Sequence, residues 1–283
     1  MSQLKVSVLD IEQAKKDGRK LVMMTAYDYP FGLLADEAGM DIVLVGDSLG
    51  MVVLGLEGTV AVTLEQMIHH IQAVVRGCRR PLVIGDMPFM SYNITIPEAI
   101  ANAGRLMKEG GCDAVKLEGG SDFAPTVAAI VKAGIPVQGH IGLTPQTASA
   151  LGGFKIQGRD AAAAKQIIDD ARALQQAGVF SIILEAVPAP LGKLVAEAVT
   201  VPVIGIGAGA DVDGQVLVIH DLIGLFDRFV PRFVKQYANI RSEILAALQT
   251  YKSEVRDAVF PAAEHSFKMP DEAFARLQKM IRE

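Results

Sequence analysis

Seven short runs of nearly unbroken aliphatic character recur along the chain: LVMMTAYD (21–28), DIVLVGDS (41–48), PLVIGDMP (81–88), DAVKLEGG (113–120), IPVQGHIGL (135–143), FSIILEAVP (180–188) and VPVIGIGAG (201–209). A strand that is apolar at consecutive positions must be covered on both faces, which is the condition of a parallel sheet flanked by helices. An eighth run, QVLVIHDLIGL (215–225), is weaker. Between the runs lie longer amphipathic stretches. Thr63 with Gln66 and Thr95 with Glu98 fit capping boxes, and Pro97 and Pro145 suit a first helical turn. Helices are expected over 64–76, 97–108 and 161–177, stopping at or near Gly77, Gly110 and Gly178 with the usual left-handed turn. Eight strand–helix units in 283 residues fit a closed (β/α)8 barrel, a fold of about 250 residues.

No composition shift or Pro/Ser-rich linker divides the chain, so residues 1–283 are read as one barrel domain, with 251–283 as a C-terminal helical extension. The net charge of -5, with no basic cluster beyond Arg79-Arg80, argues against a nucleic-acid or membrane-surface partner. No signal-peptide core opens the chain and no stretch of about 18 apolar residues spans it, so a soluble, cytoplasmic protein is expected. Cys78 and Cys112 are too few for a zinc site and read as buried free thiols. GIGAGA (205–210) matches a dinucleotide fingerprint, but six strands precede it and too little chain follows for a doubly wound sheet; tight strand-to-helix turning is the plainer reading.

Polar residues close the runs. Asp28 ends the first, Asp47 and Ser48 the second, Asp86 the third; Lys116 and Glu118 lie on the fourth, His140 on the fifth, Glu185 on the sixth. In a barrel all would face the mouth at the carboxyl ends of the strands. Taken singly, an acid after a strand is more often a helix N-cap, and a lone histidine an ordinary core residue. Several carboxylates converging on one mouth, however, repel one another unless a cation sits among them. Oxygen donors without zinc spacing point to a hard divalent ion such as Mg2+. Such an ion suits a substrate that chelates through oxygen, a 2-oxo acid for example, and stabilises the enolate formed beside its carbonyl. Lys116 then suits the substrate carboxylate, and Glu185, between SIIL and AVP, suits a base of raised pKa.

TAYDYPFG, VLVGDSLGMVVLG, DMPFMSY, AVKLEGG, GHIGLTPQ, GGFKIQGR, LEAVP, VPVIGIGAG and DGQVLV, through the closing EHSF at 264–267, resemble in order and spacing the ketopantoate (3-methyl-2-oxobutanoate) hydroxymethyltransferases. The resemblance implies a (β/α)8 barrel of the phosphoenolpyruvate/pyruvate type with extra terminal helices, assembled as homo-oligomers, often decamers. It implies transfer of a one-carbon unit from 5,10-methylenetetrahydrofolate to 3-methyl-2-oxobutanoate, giving 2-dehydropantoate in pantothenate synthesis, with Mg2+ as cofactor. Carried over residue by residue, Asp47, Asp86 and Glu118 are the metal carboxylates. Asp47, Ser48, Asp86 and Lys116 meet the substrate, and His140 lines the same cavity. Glu185 matches the proton acceptor. The tail after Phe267 extends past the family's usual end, and Ala273, Leu277 and Ile281 recur in it at helical spacing.

The nearest rival is another metal-enolate carbon–carbon lyase or mutase on the same barrel. Such enzymes carry a loop cysteine, whereas Cys78 and Cys112 each precede a strand and should not reach the mouth. A non-catalytic metabolite-binding barrel is the second rival; a proton-transfer residue beside a full metal site speaks against it.

Overall fold

The computed structural model describes residues 4–150 and 152–282. The extreme ends of the expected domain, residues 1–3 and 283, lie outside the described residues. Eight parallel strands close into a barrel in sequence order: β1 (Leu21–Thr25), β2 (Ile42–Val45), β3 (Leu82–Asp86), β4 (Ala114–Glu118), β5 (Val137–Gly142), β6 (Ser181–Glu185), β7 (Val203–Ile206) and β8 (Gly214–Leu217).

Strand alternation sorts the aliphatic runs into two cores. Leu21, Met23, Ile42, Leu44, Leu82, Ile84, Ile183, Ile204 and Val216 fill the barrel, and Ile11 and Ala14 of the helix Val8–Lys16 join them. The intervening residues, such as Val43, Val83, Leu117 and Ile182, pack outward under the surrounding helices. Period two along each strand therefore continues the interior column upward into Asp86, Lys116 and Glu118, His140 and Glu185.

Helices Tyr29–Glu37, Leu64–Gly77, Ile96–Arg105, Ala124–Lys132, Ala161–Ala177 and Ala189–Ala198 form the outer layer. Thr63 and Gln66 make the expected capping box, and Thr95 caps the backbone N–H of Glu98. Two expected stops are corrected. Gly77 lies within its helix, where a Cβ would stand 2.6 Å from the Tyr29 carbonyl oxygen, so close helix packing and not chain reversal requires it. After Arg105 the chain widens into a π turn over Leu106–Gly110 and reverses one residue late, at Gly111 with φ 85°. Gly178 reverses the chain where expected, at φ 96°.

The wall around β8 also departs from expectation. Only residues 207–213 join β7 to β8, so the glycine-rich stretch turns from strand to strand and no helix follows it. The eighth run gives a four-residue strand and a single helical turn, Ile219–Leu222. As a result β1 and β8 are uncovered outside at one level: the register partners Val22 and Gln215 are both exposed, while Met24 further along β1 is buried. Helix Ile240–Arg256 starts ahead of the expected boundary at 251 and has no buried residue, and Asp271–Met280 forms a last exposed helix.

Candidate active site

The strand register builds the site. Asp86 of β3 is level with Lys116 of β4, Glu118 with His140 of β5, and Gly142 with Glu185 of β6. Asp47 and Ser48 follow β2, where the chain leaves the strand at Gly46. All seven expected site residues line one cavity of about 180 Å3. Asp28 does not. It caps the helix Tyr29–Glu37, accepting the Phe31 N–H at 2.8 Å, so the expectation that it faces the mouth is corrected.

Lys116 is the hub. Its Nζ lies 2.9 Å from Asp86 Oδ2 and 3.2 Å from Glu118 Oε1, with all three side chains almost wholly buried. Burial alone would depress the ammonium, but Asp86, Glu118 and Asp47 outweigh it and raise its pKa. Burial raises Asp86 well above the usual carboxylate range, with Lys116 opposing and Asp47 and Glu118 reinforcing the rise. Glu118 is raised for the same first reason. Three acids against one buried cation leave net negative charge in a low-dielectric site, an arrangement that favours a further cation or protonation.

On the next strands, burial and Lys116 lower His140 to about 4, so its imidazole is neutral. Its Nε2 stands 3.2 Å from Glu185 Oε2 without the alignment of a hydrogen bond. Burial pushes Glu185 up to about 8, with Lys116 opposing. Its backbone is fixed from behind: Gly142 crosses so close that a Cβ there would come within 2.3 Å of the Glu185 carbonyl oxygen, and Ala186 turns away at φ 49°. A non-glycine residue in that region stores strain, which tertiary contacts must hold. The Ala186 N–H to Ile206 O and Leu143 N–H to Glu185 O bonds do so.

Gln146 was missed in the sequence. It sits in the turn Pro145–Thr147 and is 4% exposed. Its Nε2 donates to Asp47 Oδ2 at 2.8 Å and to Met87 O, its backbone N–H to Glu118 Oε2 at 3.0 Å, and its Oε1 accepts from Tyr92 Oη at 2.6 Å. It thus ties together two carboxylates, one after β2 and one at the end of β4. The GLTPQ motif held the residue, but an irregular loop has no period to say which way a side chain points. Tyr27, whose Oη meets Ser48 Oγ at 2.8 Å, was missed likewise.

A divalent cation fits part of this set directly. Asp86 Oδ1 is buried with no partner, and Asp47 lines the cavity beside it. Glu118 is already engaged by Lys116 and Gln146. Among the described residues no three acidic or imidazole groups stand gathered as a ready cage. Cys78 and Cys112 are free and buried away from the cavity, as expected.

The fold, a closed parallel eight-stranded barrel, is similar to that of solved barrels described as members of the phosphoenolpyruvate mutase/isocitrate lyase superfamily. A solved 2,3-dimethylmalate lyase of that superfamily matches with TM-score 0.60 at 14% identity, over 99% of this chain and 98% of that one. Phosphonopyruvate hydrolase, solved in complex with oxalate and Mg++, matches with TM-score 0.59 at 14% identity over 99% and 96%. Sequence narrows the class. Residues 5–263 match the ketopantoate hydroxymethyltransferase family. The 3-methyl-2-oxobutanoate hydroxymethyltransferase of Moorella thermoacetica is 60% identical over 93% of this chain and 98% of its own length. That of Oleidesulfovibrio alaskensis is 56% identical over 98% and 95%. The chain belongs to the ketopantoate hydroxymethyltransferase family and is an enzyme of hydroxymethyl transfer.

Proposed function

We propose that the chain, acting in the cytoplasm as a homo-oligomer, moves a one-carbon unit from 5,10-methylenetetrahydrofolate to C3 of 3-methyl-2-oxobutanoate, giving 2-dehydropantoate through an enolate. The observation that carries this reading is Glu185, raised to about 8 and facing the same cavity as Asp47, Asp86 and Lys116. A carboxyl group poised near neutrality can take and return a proton, which a binding-only barrel does not need.

Asp47 and Asp86, with Glu118 behind them, would hold Mg2+, which supplies Lewis-acid polarisation of the 2-oxo group when bound. The phosphonopyruvate hydrolase complex is consistent with this, since oxalate has the planar, two-oxygen shape of a 2-oxo-acid enolate. Lys116 and Ser48 receive the substrate carboxylate. Leu44 and Ile183 of the cavity wall offer apolar surface to its isopropyl group. Glu185 moves the proton, at the branched carbon or at the emerging hydroxyl, with neutral His140 beside it.

The assembly reading, a decamer by family resemblance, is supported by two surfaces. Ile244, Leu248, Tyr251 and Val255 form an exposed stripe along the helix Ile240–Arg256, and the wall at Val22 and Gln215 is uncovered. One barrel domain remains our reading of the chain, with residues 251–283 part of a helical extension that begins at Ile240.

Incubation with 3-methyl-2-oxobutanoate and Mg2+ in heavy water, followed by NMR of the C3 proton, tests the chemistry; addition of methylenetetrahydrofolate tests the transfer. Loss of the C3 signal and then formation of 2-dehydropantoate are expected. Folded protein that does neither would overturn the proposal.

A further inference from the structure

The charged groups described so far stand from β2 to β6. The rest of the cavity wall, from β7 through β8 to β1, is built of Ile206, Val216 and Val218 together with Phe226, Phe229 and Phe233 from the segment after β8. One acid interrupts it. Asp221, in the helical turn Ile219–Leu222, is 8% exposed and lines the cavity. Burial alone acts on its carboxyl group, raising it to about 6; no hydrogen bond or cation among the described residues offsets that. Nor does it cap a helix, the ordinary use of an acid at such a place, since it receives no backbone N–H.

A buried carboxylate without donors is costly, and one that opens into a cavity calls for a ligand that brings them. The 2-oxo acid cannot be that ligand. Its carboxylate and carbonyl are acceptors only, and like charge would repel it from Asp221. Folate can. The 2-amino-4-oxo edge of its pteridine presents an exocyclic amine and a ring N–H side by side, two parallel donors that match a carboxylate. The ring is also flat, and Phe229 and Phe233 are 64% and 37% exposed, so their faces are open for stacking. Asp221 lies near the reacting end as well. Tyr27, hydrogen-bonded to Ser48, is influenced by the charges of both Asp221 and Asp47.

We propose that Asp221, with Phe226, Phe229 and Phe233, forms the subsite for the pteridine ring of the folate co-substrate, the carboxylate accepting the amine and ring N–H. The proposal rests on the folate reading above and adds a location to it. The pteridine then approaches from the apolar arc while the 2-oxo acid occupies the charged one, and the two substrates meet across the cavity.

The test is binding of tetrahydrofolate and of 3-methyl-2-oxobutanoate, each by calorimetry with Mg2+ present, to the wild type, Asp221→Ala and the isosteric Asp221→Asn. Circular dichroism controls for folding, so that either variant suffices if the other fails to fold. Asp221→Ala should raise the Kd for tetrahydrofolate by 10- to 100-fold, and that effect should exceed the effect on the 2-oxo acid at least tenfold. A 2-desamino-2-methyl analogue of tetrahydrofolate should bind the wild type weakly and lose little further in the variant. Equal losses for both ligands, no loss for tetrahydrofolate, or the same loss for the analogue would overturn the subsite. A wild type that binds no tetrahydrofolate and forms no 2-dehydropantoate would instead overturn the functional reading beneath it.

Discussion

From β2 to β6 the rim of the barrel carries side chains that answer one another: Lys116 between Asp86 and Glu118, Gln146 between Asp47 and Glu118, His140 against Glu185. From β7 through β8 to β1 it carries Ile206, Val216, Val218, the hydroxyl of Thr25 and a single acid, Asp221, for which no answering group stands among the described residues. The difference separates two kinds of work. The charged arc is preorganised, with Asp47, Asp86 and Glu118 held before any ligand arrives, so that little reorganisation of them is left for the chemical step. The apolar arc is a surface awaiting a partner, and the open outer wall behind it shows how little of the fold's own packing is spent there. Chemistry and co-substrate recognition thus divide along the strand order.

The largest expected effect comes from removing the proton carrier in the charged arc. Glu185→Gln keeps the shape and the His140 contact but cannot titrate, so kcat should fall roughly 100- to 10,000-fold with binding of 3-methyl-2-oxobutanoate retained. Steady-state kinetics together with calorimetry separate the two. If kcat stays within a few-fold of wild type, Glu185 is not the proton carrier and the contrast between the arcs loses its chemical meaning.

Next comes the preorganisation itself. Gln146→Leu removes the donor to Asp47 and leaves the Tyr92 hydroxyl without its acceptor, while the backbone bond to Glu118 can persist. By the usual worth of a group that orients a metal carboxylate, the Mg2+ concentration for half-maximal activity should rise about 10- to 100-fold. A Mg2+ titration showing the wild-type midpoint would mean that Asp47 needs no holding.

Much of this arrangement could be read in the sequence, for a definite reason. A barrel strand fixes direction by parity, so Lys116 and Glu118 had to share a face, and Asp86, His140 and Glu185 had to stand at neighbouring strand ends. Where parity stops, inference stopped. Gln146 and Tyr92 lie in irregular segments, and Asp221 was hidden in QVLVIHDLIGL, a run taken as one strand that becomes a strand and a helical turn. Asp28 looked like the other terminal acids but caps a helix. The absent helix between β7 and β8 was masked by VPVIGIGAG, whose Gly and Ala residues prolong the apolar run although the strand ends at Ile206. The seven-residue connection left after Ile206 is too short for a helical crossover.

The lone acid of the apolar arc makes a prediction about stability that is simpler to isolate than that of its counterparts, whose rise Lys116 opposes. Asp221 is held near 6 in the folded chain against 3.8 for an aspartate free in water, so between those values the folded form binds more protons than the unfolded one. The contribution of Asp221 to stability is therefore full below about pH 3.8 and is lost as pH rises through about 6, because ionisation is disfavoured in the folded protein. Asp221→Asn removes that dependence. Its unfolding free energy relative to wild type, by urea denaturation, should be about 2 kcal/mol more favourable at pH 7.5 than at pH 4. A difference that does not change with pH would show that Asp221 already has a partner, and the two arcs would then differ less than their lining suggests.

The smallest effect sharpens the comparison most. Phe229 is 64% exposed at the cavity mouth, so truncating it removes little packing from the folded chain. Phe229→Ala should leave thermal stability within about 0.5 kcal/mol of wild type, the range usual for exposed sites. If its ring stacks on the pteridine, tetrahydrofolate binding should nevertheless weaken about 2- to 10-fold, the worth of one aromatic contact. The 2-oxo acid, bound on the opposite arc, should not register the change. An aromatic residue that mattered equally to both substrates would act by closing the mouth over them, and the division of the rim into a reacting arc and a recognising arc would have to be redrawn.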